Sequence, residues 1–182
     1  LQDTTFQYVA CNINDTFQVK AIDTAQKDTV ISNTVTPDIS DTIDPSTPQI
    51  HHINAKNDQV LKLSWEVSSP DVNRYVIYRQ NRTNKFQAVD TTWGRADTAW
   101  ADTFNQPLNA SKCYQVAALD SCASNKSGHS TKHCSIYLTS DTTSSCANEL
   151  KLSWDAYSGW DVLKGYEIYR KKSHGSSFSQ YI

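Results

Sequence analysis

The chain has 182 residues, 38% hydrophobic and 20% charged, with a formal net charge of -2 and a pI near 6.2. That balance leaves no basic footprint for nucleic acid or an anionic membrane surface, and no run of about 18 apolar residues is present to span a bilayer. Sixteen Asp and 18 Thr against three Glu disfavour helix and suit strands, turns and caps. Five Cys outside any metal or catalytic motif point to an oxidising compartment. The absence of Met, and an opening Leu-Gln-Asp-Thr-Thr in place of an apolar leader, are expected of a processed chain or a fragment.

In chain order, 16–23 alternates Phe17, Val19 and Ala21 with polar neighbours, and a second alternating run follows at 29–36. Together they read as a hairpin from the end of a unit. The stretch 38–49, with three Asp, Pro45, Pro48 and no periodicity, reads as a linker stiffened by proline. Beyond it, 60–65 sets Leu61, Leu63 and Trp65 on one face, and Tyr75 and Ile77 repeat that pattern after a turn at 68–71. Weaker strands are expected at 86–90 and 99–103. A strong one at 112–118 turns Tyr114, Val116 and Ala118 inward, and after a loop the last is expected at 131–138.

The chain repeats itself. LKLSWEVSSPDVNRYVIYR at 61–79 returns as LKLSWDAYSGWDVLKGYEIYR at 150–170, displaced by 89 residues at Leu61 and Leu150 and by 91 at Tyr75 and Tyr166. Phe17-Gln-Val-Lys-Ala-Ile-Asp23 likewise matches Tyr114-Gln-Val-Ala-Ala-Leu-Asp120 at a displacement of 97. A unit of that size, built from seven short strands and no helix, indicates an antiparallel sandwich in which each sheet buries one alternating face against the other.

Trp65 on the second strand, Tyr75-x-Ile77 on the third, and Leu108 six residues before Tyr114-x-Val-x-Ala resemble a fibronectin type III module, in which the tyrosine forms a corner. The resemblance implies an all-β chain of tandem antiparallel β-sandwiches. One complete module is expected at 50–138, the C-terminal part of another at 1–37 and the N-terminal half of a third at 139–182. Phe17 departs from the corner tyrosine, and such modules usually lack disulfides. More narrowly, Cys113-Tyr114, Ala118-Leu-Asp-Ser-Cys122, Cys134-Ser-Ile-Tyr-Leu138 and Leu152-Ser-Trp with Tyr157-Ser-Gly-Trp160 are similar to repeats in large type IX-secreted, gliding-motility-associated surface proteins of Gram-negative bacteria. That likeness implies a secreted or cell-surface location.

The four cysteines Cys113, Cys122, Cys134 and Cys146 allow three connectivities. The resemblance favours Cys113 with Cys122 and Cys134 with Cys146, whereas a hairpin places Cys113 nearly opposite Cys134. Cys11 is expected to be the odd one out. His129 and His133, at i and i+4 of a strand, share a face with Cys134 next in sequence, but no second ligand cluster with zinc spacing accompanies them, so they read as ordinary strand and loop residues and no metal or cofactor is expected. No nucleophile elbow or phosphate loop is present, and no catalytic site is expected. Trp93, Trp100 and Trp160 lie outside the strand motifs and are candidates for stacking on sugars, or for packing against a loop or neighbouring module.

Asp-Thr occurs nine times, where composition alone would give about two. Seven of these continue with Ala, Val, Ile or Thr, after Thr4, Thr24, Thr29, Thr42, Thr91, Thr98 and Thr142. The pattern is similar to the acceptor for extracytoplasmic O-glycosylation in the bacteria that use type IX secretion, and equally suits turn and strand-entry chemistry. The expected role is a non-catalytic spacer whose partners are neighbouring modules or copies of itself. The alternatives are an adhesin or carbohydrate-binding module, or the accessory region of a secreted hydrolase. The late strands of 1–37 and the early strands of 139–182 add up to roughly one repeat, so the two pieces are candidates to complete one another.

Overall fold

The computed structural model describes residues 4–6, 12–13, 15–23, 28–104, 108–122, 125–141, 150–173, 175 and 177–181. Strands and turns account for all regular structure among them, with no helix. In order these are β1 (Asn12–Ile13), β2 (Lys20–Ile22), β3 (Thr29–Ile31), β4 (Ile39–Ser40), β5 (Ile50–Asn57), β6 (Val60–Trp65), β7 (Val72–Gln80) and β8 (Phe86–Trp93). They continue as β9 (Ala99–Thr103), β10 (Cys113–Asp120), β11 (His133–Cys134), β12 (Leu138–Asp141), β13 (Lys151–Trp154), β14 (Tyr169–Arg170) and β15 (Ser179–Gln180).

The sandwich is built from β5-β6-β9 facing β11-β10-β7-β8, with every pairing antiparallel. Alternation explains it. Leu61, Leu63 and Trp65 on β6 are at most 2% exposed, and meet Tyr75 and Ile77 of β7 and Tyr114, Val116 and Ala118 of β10, all at 0%. Each large side chain buried in this way contributes about 1.5–3 kcal/mol. Trp65 packs edge-on to Tyr75 at 5.5 Å, and the Tyr75 hydroxyl accepts from Ser68 N–H while donating to the Arg95 carbonyl.

One polar group crosses the core. Asp102 of β9 is 6% exposed, and its Oδ2 accepts from Arg79 Nη1 at 2.6 Å and from the Tyr114 hydroxyl at 2.7 Å. Burial, and then the Asp102 carboxylate, push the Tyr114 phenol far above its ordinary pKa. The corner hydroxyl therefore ties the two sheets through a carboxylate, while Leu108 packs against the core beside it.

Three expectations change. The last strand shrinks to β11, because serine hydroxyls replace the ladder before and after it. Val116 and Ala118 N–H donate to Ser130 Oγ and Ser127 Oγ, and Lys112 N–H to Ser135 Oγ, while the same serines return their own N–H to the carbonyls of Val116, Ala118 and Lys112. Leu138 is thereby released to open β12, which pairs with β13 in the register Leu138↔Trp154 that matches Ile50↔Trp65. Second, the proline-stiffened stretch 38–49 is also bonded to the sandwich. Pro45 and Pro48 are buried, Ser46 bonds to Ser68 and Ser69, and Asn125 Nδ2 donates to the Asp41 carbonyl.

Third, Cys113 bonds to Cys134 rather than to Cys122. The two face each other across β10 and β11, and Cys134 N–H points outward to Ser158, so this is a non-hydrogen-bonded pair with its side chains close. Closing a loop with a sequence separation of 21 contributes about 3 kcal/mol in the chain-entropy view. The expected pairing of Cys134 with Cys146 is excluded by the same bond. Cys122 is also disulfide-bonded, and Cys11 and Cys146 lie outside the described residues.

The repeat is physical as well as textual. Ser32 clamps Val19 as Ser130 clamps Val116, with Val19 N–H donating to Ser32 Oγ and Ser32 N–H to the Val19 carbonyl. Trp154 and Tyr166 stand edge-to-face at 5.5 Å and 66°, against 5.5 Å and 65° for Trp65 and Tyr75. The Tyr166 hydroxyl accepts from Tyr157 N–H as that of Tyr75 accepts from Ser68.

Candidate functional site

Among the described residues, a densely organised surface outside the core is the joint where 155–160 lies on the sandwich. It begins with backbone. Cys134 N–H donates to the Ser158 carbonyl at 2.9 Å, an isolated antiparallel bridge that continues β11 outward. His133, 3% exposed, then sits under the loop with Nδ1 2.7 Å from the Tyr157 hydroxyl and the two rings edge-to-face at 5.8 Å. Trp160 tilts on Tyr157 at 4.4 Å and donates Nε1–H to the His51 carbonyl at 2.7 Å.

Gly159 makes this approach feasible. Its φ is +139°, which side-chain-bearing residues rarely adopt, and a Cβ there would lie 2.3 Å from His133 Cγ. Only hydrogen fits between the loop and the ring. Desolvation lowers the His133 pKa, keeping the ring neutral, and burial pushes the Tyr157 phenol up to about 12. Both partners in the bond are thus held uncharged across a wide pH range.

The three candidate stacking tryptophans take separate positions. Trp160 belongs to the joint. Trp100 is half-buried, packs edge-on to Tyr114 at 6.2 Å and donates Nε1–H to Asp90 Oδ2 at 2.6 Å. Trp93 is 64% exposed, with the Arg74 guanidinium 5.0 Å from its ring centre. These partners are distinct for each ring.

Of the candidate acceptor threonines, Thr4, Thr29 and Thr42 are exposed and Thr91 and Thr98 half-buried; Thr24 and Thr142 lie outside the described residues. Two of the Asp-Thr aspartates serve the sandwich itself, Asp102 in the cross-sheet ion pair and Asp90 by holding Trp100 and its neighbour Thr91 N–H. His129 stacks on Tyr78 at 4.3 Å, and the Cys134 sulfur is engaged with Cys113, so His129, His133 and Cys134 form no ligand set. Among the described residues Asp41, Asp120 and Cys122 converge, but Cys122 is disulfide-bonded and offers no thiolate.

Sequence reasoning missed Tyr157, Ser158 and Gly159 as a joint, although Tyr-Ser-Gly-Trp falls in the longer loop of the second copy. The two extra residues there were the available signal.

No family model matches the chain, and no curated protein matches it. Among solved structures it is similar to the pectate lyase Pel3 from Pectobacterium carotovorum, at 19% identity over 47% of this chain and a TM-score of 0.36. A second crystal structure of that enzyme gives 17% and 0.36, and a structure described as a myokine gives 14% over 50% of this chain, with a TM-score of 0.37. The chain spans 26% of the length of the lyase and 93% of the myokine.

Proposed function

We propose that this chain is a run of non-catalytic structural modules from a secreted or cell-surface bacterial protein, whose task is to hold neighbouring domains in fixed relation. The observation that carries the reading is the joint. Three hydrogen bonds and the ring contact of His133 with Tyr157 fix 155–160 on the sandwich, with a glycine where an added Cβ would collide with His133. On the entry side, buried prolines and the Ser46 and Asn125 bonds pin 38–49 in the same manner. Disulfides suit an oxidising exterior. Among the described candidates, Thr4, Thr29 and Thr42 are exposed and open to O-glycosylation. A glycan-binding role draws less support, since the three tryptophans have separate partners, with the Arg74 guanidinium over the Trp93 ring.

The test is ¹⁵N relaxation on the 182-residue chain. Amides in 50–134 and in 150–170 are expected to share one tumbling tensor. Separate correlation times for the two segments would remove the spacer reading. Peptide mapping of natively sourced protein is expected to find sugar additions on Thr4, Thr29 or Thr42, and bare peptides would remove the glycan.

A further inference from the structure

The outer face of the four-stranded sheet in the complete sandwich carries positive charge that the chain itself does not neutralise. Tyr75 and Ile77 of β7 point into the core at 0% exposure, so the alternate residues Arg74, Val76 and Tyr78 point out. Register sets three cross-strand rows on that face: Trp93, Arg74 and Leu119; Thr91, Val76 and Ala117; Ala88, Tyr78 and Gln115. In a chain with sixteen Asp, none of these positions is acidic. Asp90 of β8 falls opposite the inward Ile77 and is engaged by Trp100 Nε1–H and Thr91 N–H.

Two cations stand over the first and third rows, each on an aromatic ring. The Arg74 guanidinium lies 5.0 Å from the ring centre of Trp93, which is 64% exposed. A bridge between Leu119 and Lys126 brings the chain back along β10. It places Lys126 Nζ 5.5 Å from the Tyr78 ring centre and 3.3 Å from its hydroxyl, with His129 stacked on the same ring at 4.3 Å. Among the described residues neither cation is in an ion pair. Arg79 and Arg95, by contrast, are engaged by Asp102 and by the carbonyls of Ser68 and Ser69. Arg74 Nε is buried with no acceptor, so the charge on this guanidinium is left for a partner to meet.

Spacing says what kind of partner fits. Arg74 and Tyr78 are four residues apart on one strand, about 13 Å, and the row between them holds only Val76, Thr91 and Ala117. An extended peptide has the same two-residue repeat. Acidic residues four apart in its sequence therefore fall over the two cations, and an aliphatic residue midway between them falls over Val76.

We propose that this outer sheet face is a docking surface for an extended acidic segment of a partner protein, with one carboxylate at Arg74, the other at Lys126 and an aliphatic side chain between them on Val76. A guanidinium can pair with a carboxylate along its edge while its flat face stays on an indole, so Trp93 orients Arg74 for the contact. The surface adds a partner to the spacer role and does not depend on that role.

The test is ¹⁵N NMR of the oxidised 182-residue chain titrated with the blocked peptide Asp-Thr-Val-Thr-Asp. Saturable shifts are expected at the Trp93 indole N–H and at the amides of Val76, Tyr78 and Thr91, and binding should weaken as salt is raised. Arg74→Gln and Lys126→Gln are each expected to weaken it about threefold to tenfold. Lys62→Gln, at an exposed position on the outer face of the other sheet, should leave it unchanged. Lys126 is itself exposed, so its variant keeps the test decisive even where Arg74→Gln disturbs folding. The lack of a saturable shift up to about 10 mM peptide would overturn the proposal. So would equal binding of the neutral peptide Asn-Thr-Val-Thr-Asn, or binding that Lys126→Gln leaves unchanged. Tighter binding of an alginate tetrasaccharide at the same residues would also overturn it and assign the face to an acidic glycan.

Discussion

Replacing Gly159 by Ala tests whether the joint closes for the reason given. The added Cβ meets a buried ring, His133 Cγ, at 2.3 Å, and the backbone sits at φ +139°. Overpacking of this kind costs about 1–3 kcal/mol and a side chain in such a backbone region about 1–3 kcal/mol more. What holds the joint is three hydrogen bonds of about 1 kcal/mol each and one ring contact, His133 with Tyr157, of about 0.5–1.5 kcal/mol. The substitution therefore removes most of the closing free energy. Hydrogen exchange at Cys134 N–H, which donates to Ser158, reads this directly, and its protection is expected to fall at least about tenfold. The sandwich Tm should move by no more than about 2 °C, because its core is untouched. Gly165→Ala is the control: its φ is +156° but nothing lies within 4 Å, so it carries backbone strain without collision. Unchanged Cys134 protection in Gly159→Ala, or an equal loss in Gly165→Ala, would refute the reasoning.

Tyr114→Phe removes one of two donors to the buried Asp102 carboxylate and is expected to cost about 1.5–3 kcal/mol, seen in thermal circular dichroism as a Tm lower by about 6 °C or more. The joint should also have a pH window. His133 has a lowered pKa when closed, so the open form binds the extra proton and closure weakens as pH falls below about 6.5; Tyr157 has a raised pKa, so closure weakens again as pH rises above about 10. Trp160 fluorescence against pH is expected to show a plateau between these limits, and a flat trace through both would remove His133 and Tyr157 as its cause.

The sandwich was legible because burial follows a period of two. Leu61, Leu63, Trp65, Tyr75, Ile77, Tyr114 and Val116 all alternate, and all are in the core. Polar residues carry no such period. Asp102 looked like one more Asp-Thr in a chain full of them, and its ion pair with Arg79 depends on two sheets facing, which local pattern does not record. Ser127, Ser130 and Ser135 were hidden likewise, since a serine that replaces a ladder bond has the composition of a loop. That is why 131–138 read as one long strand. The disulfide was decided by cross-strand register, which depends on how far the serine-bonded segment displaces the chain along β10.

These serines connect the fold to the proposed role. A regular final strand would have carried the chain to Leu138 inside the first sheet and left a free connection after it. Hydroxyl bonding lets the backbone leave the sheet at Ser135, so only residues 135–137 separate β11 from β12. Four residue steps reach at most about 14 Å, too short to let the following hairpin wander. Its loop must lie near β11, where His133 and the outward N–H of Cys134 receive Tyr157 and Ser158. The Cys113–Cys134 bond anchors the same two-residue strand from the other side. Orientation between units then follows from backbone length and one glycine, with little dependence on the interface area that large, independent domains would require.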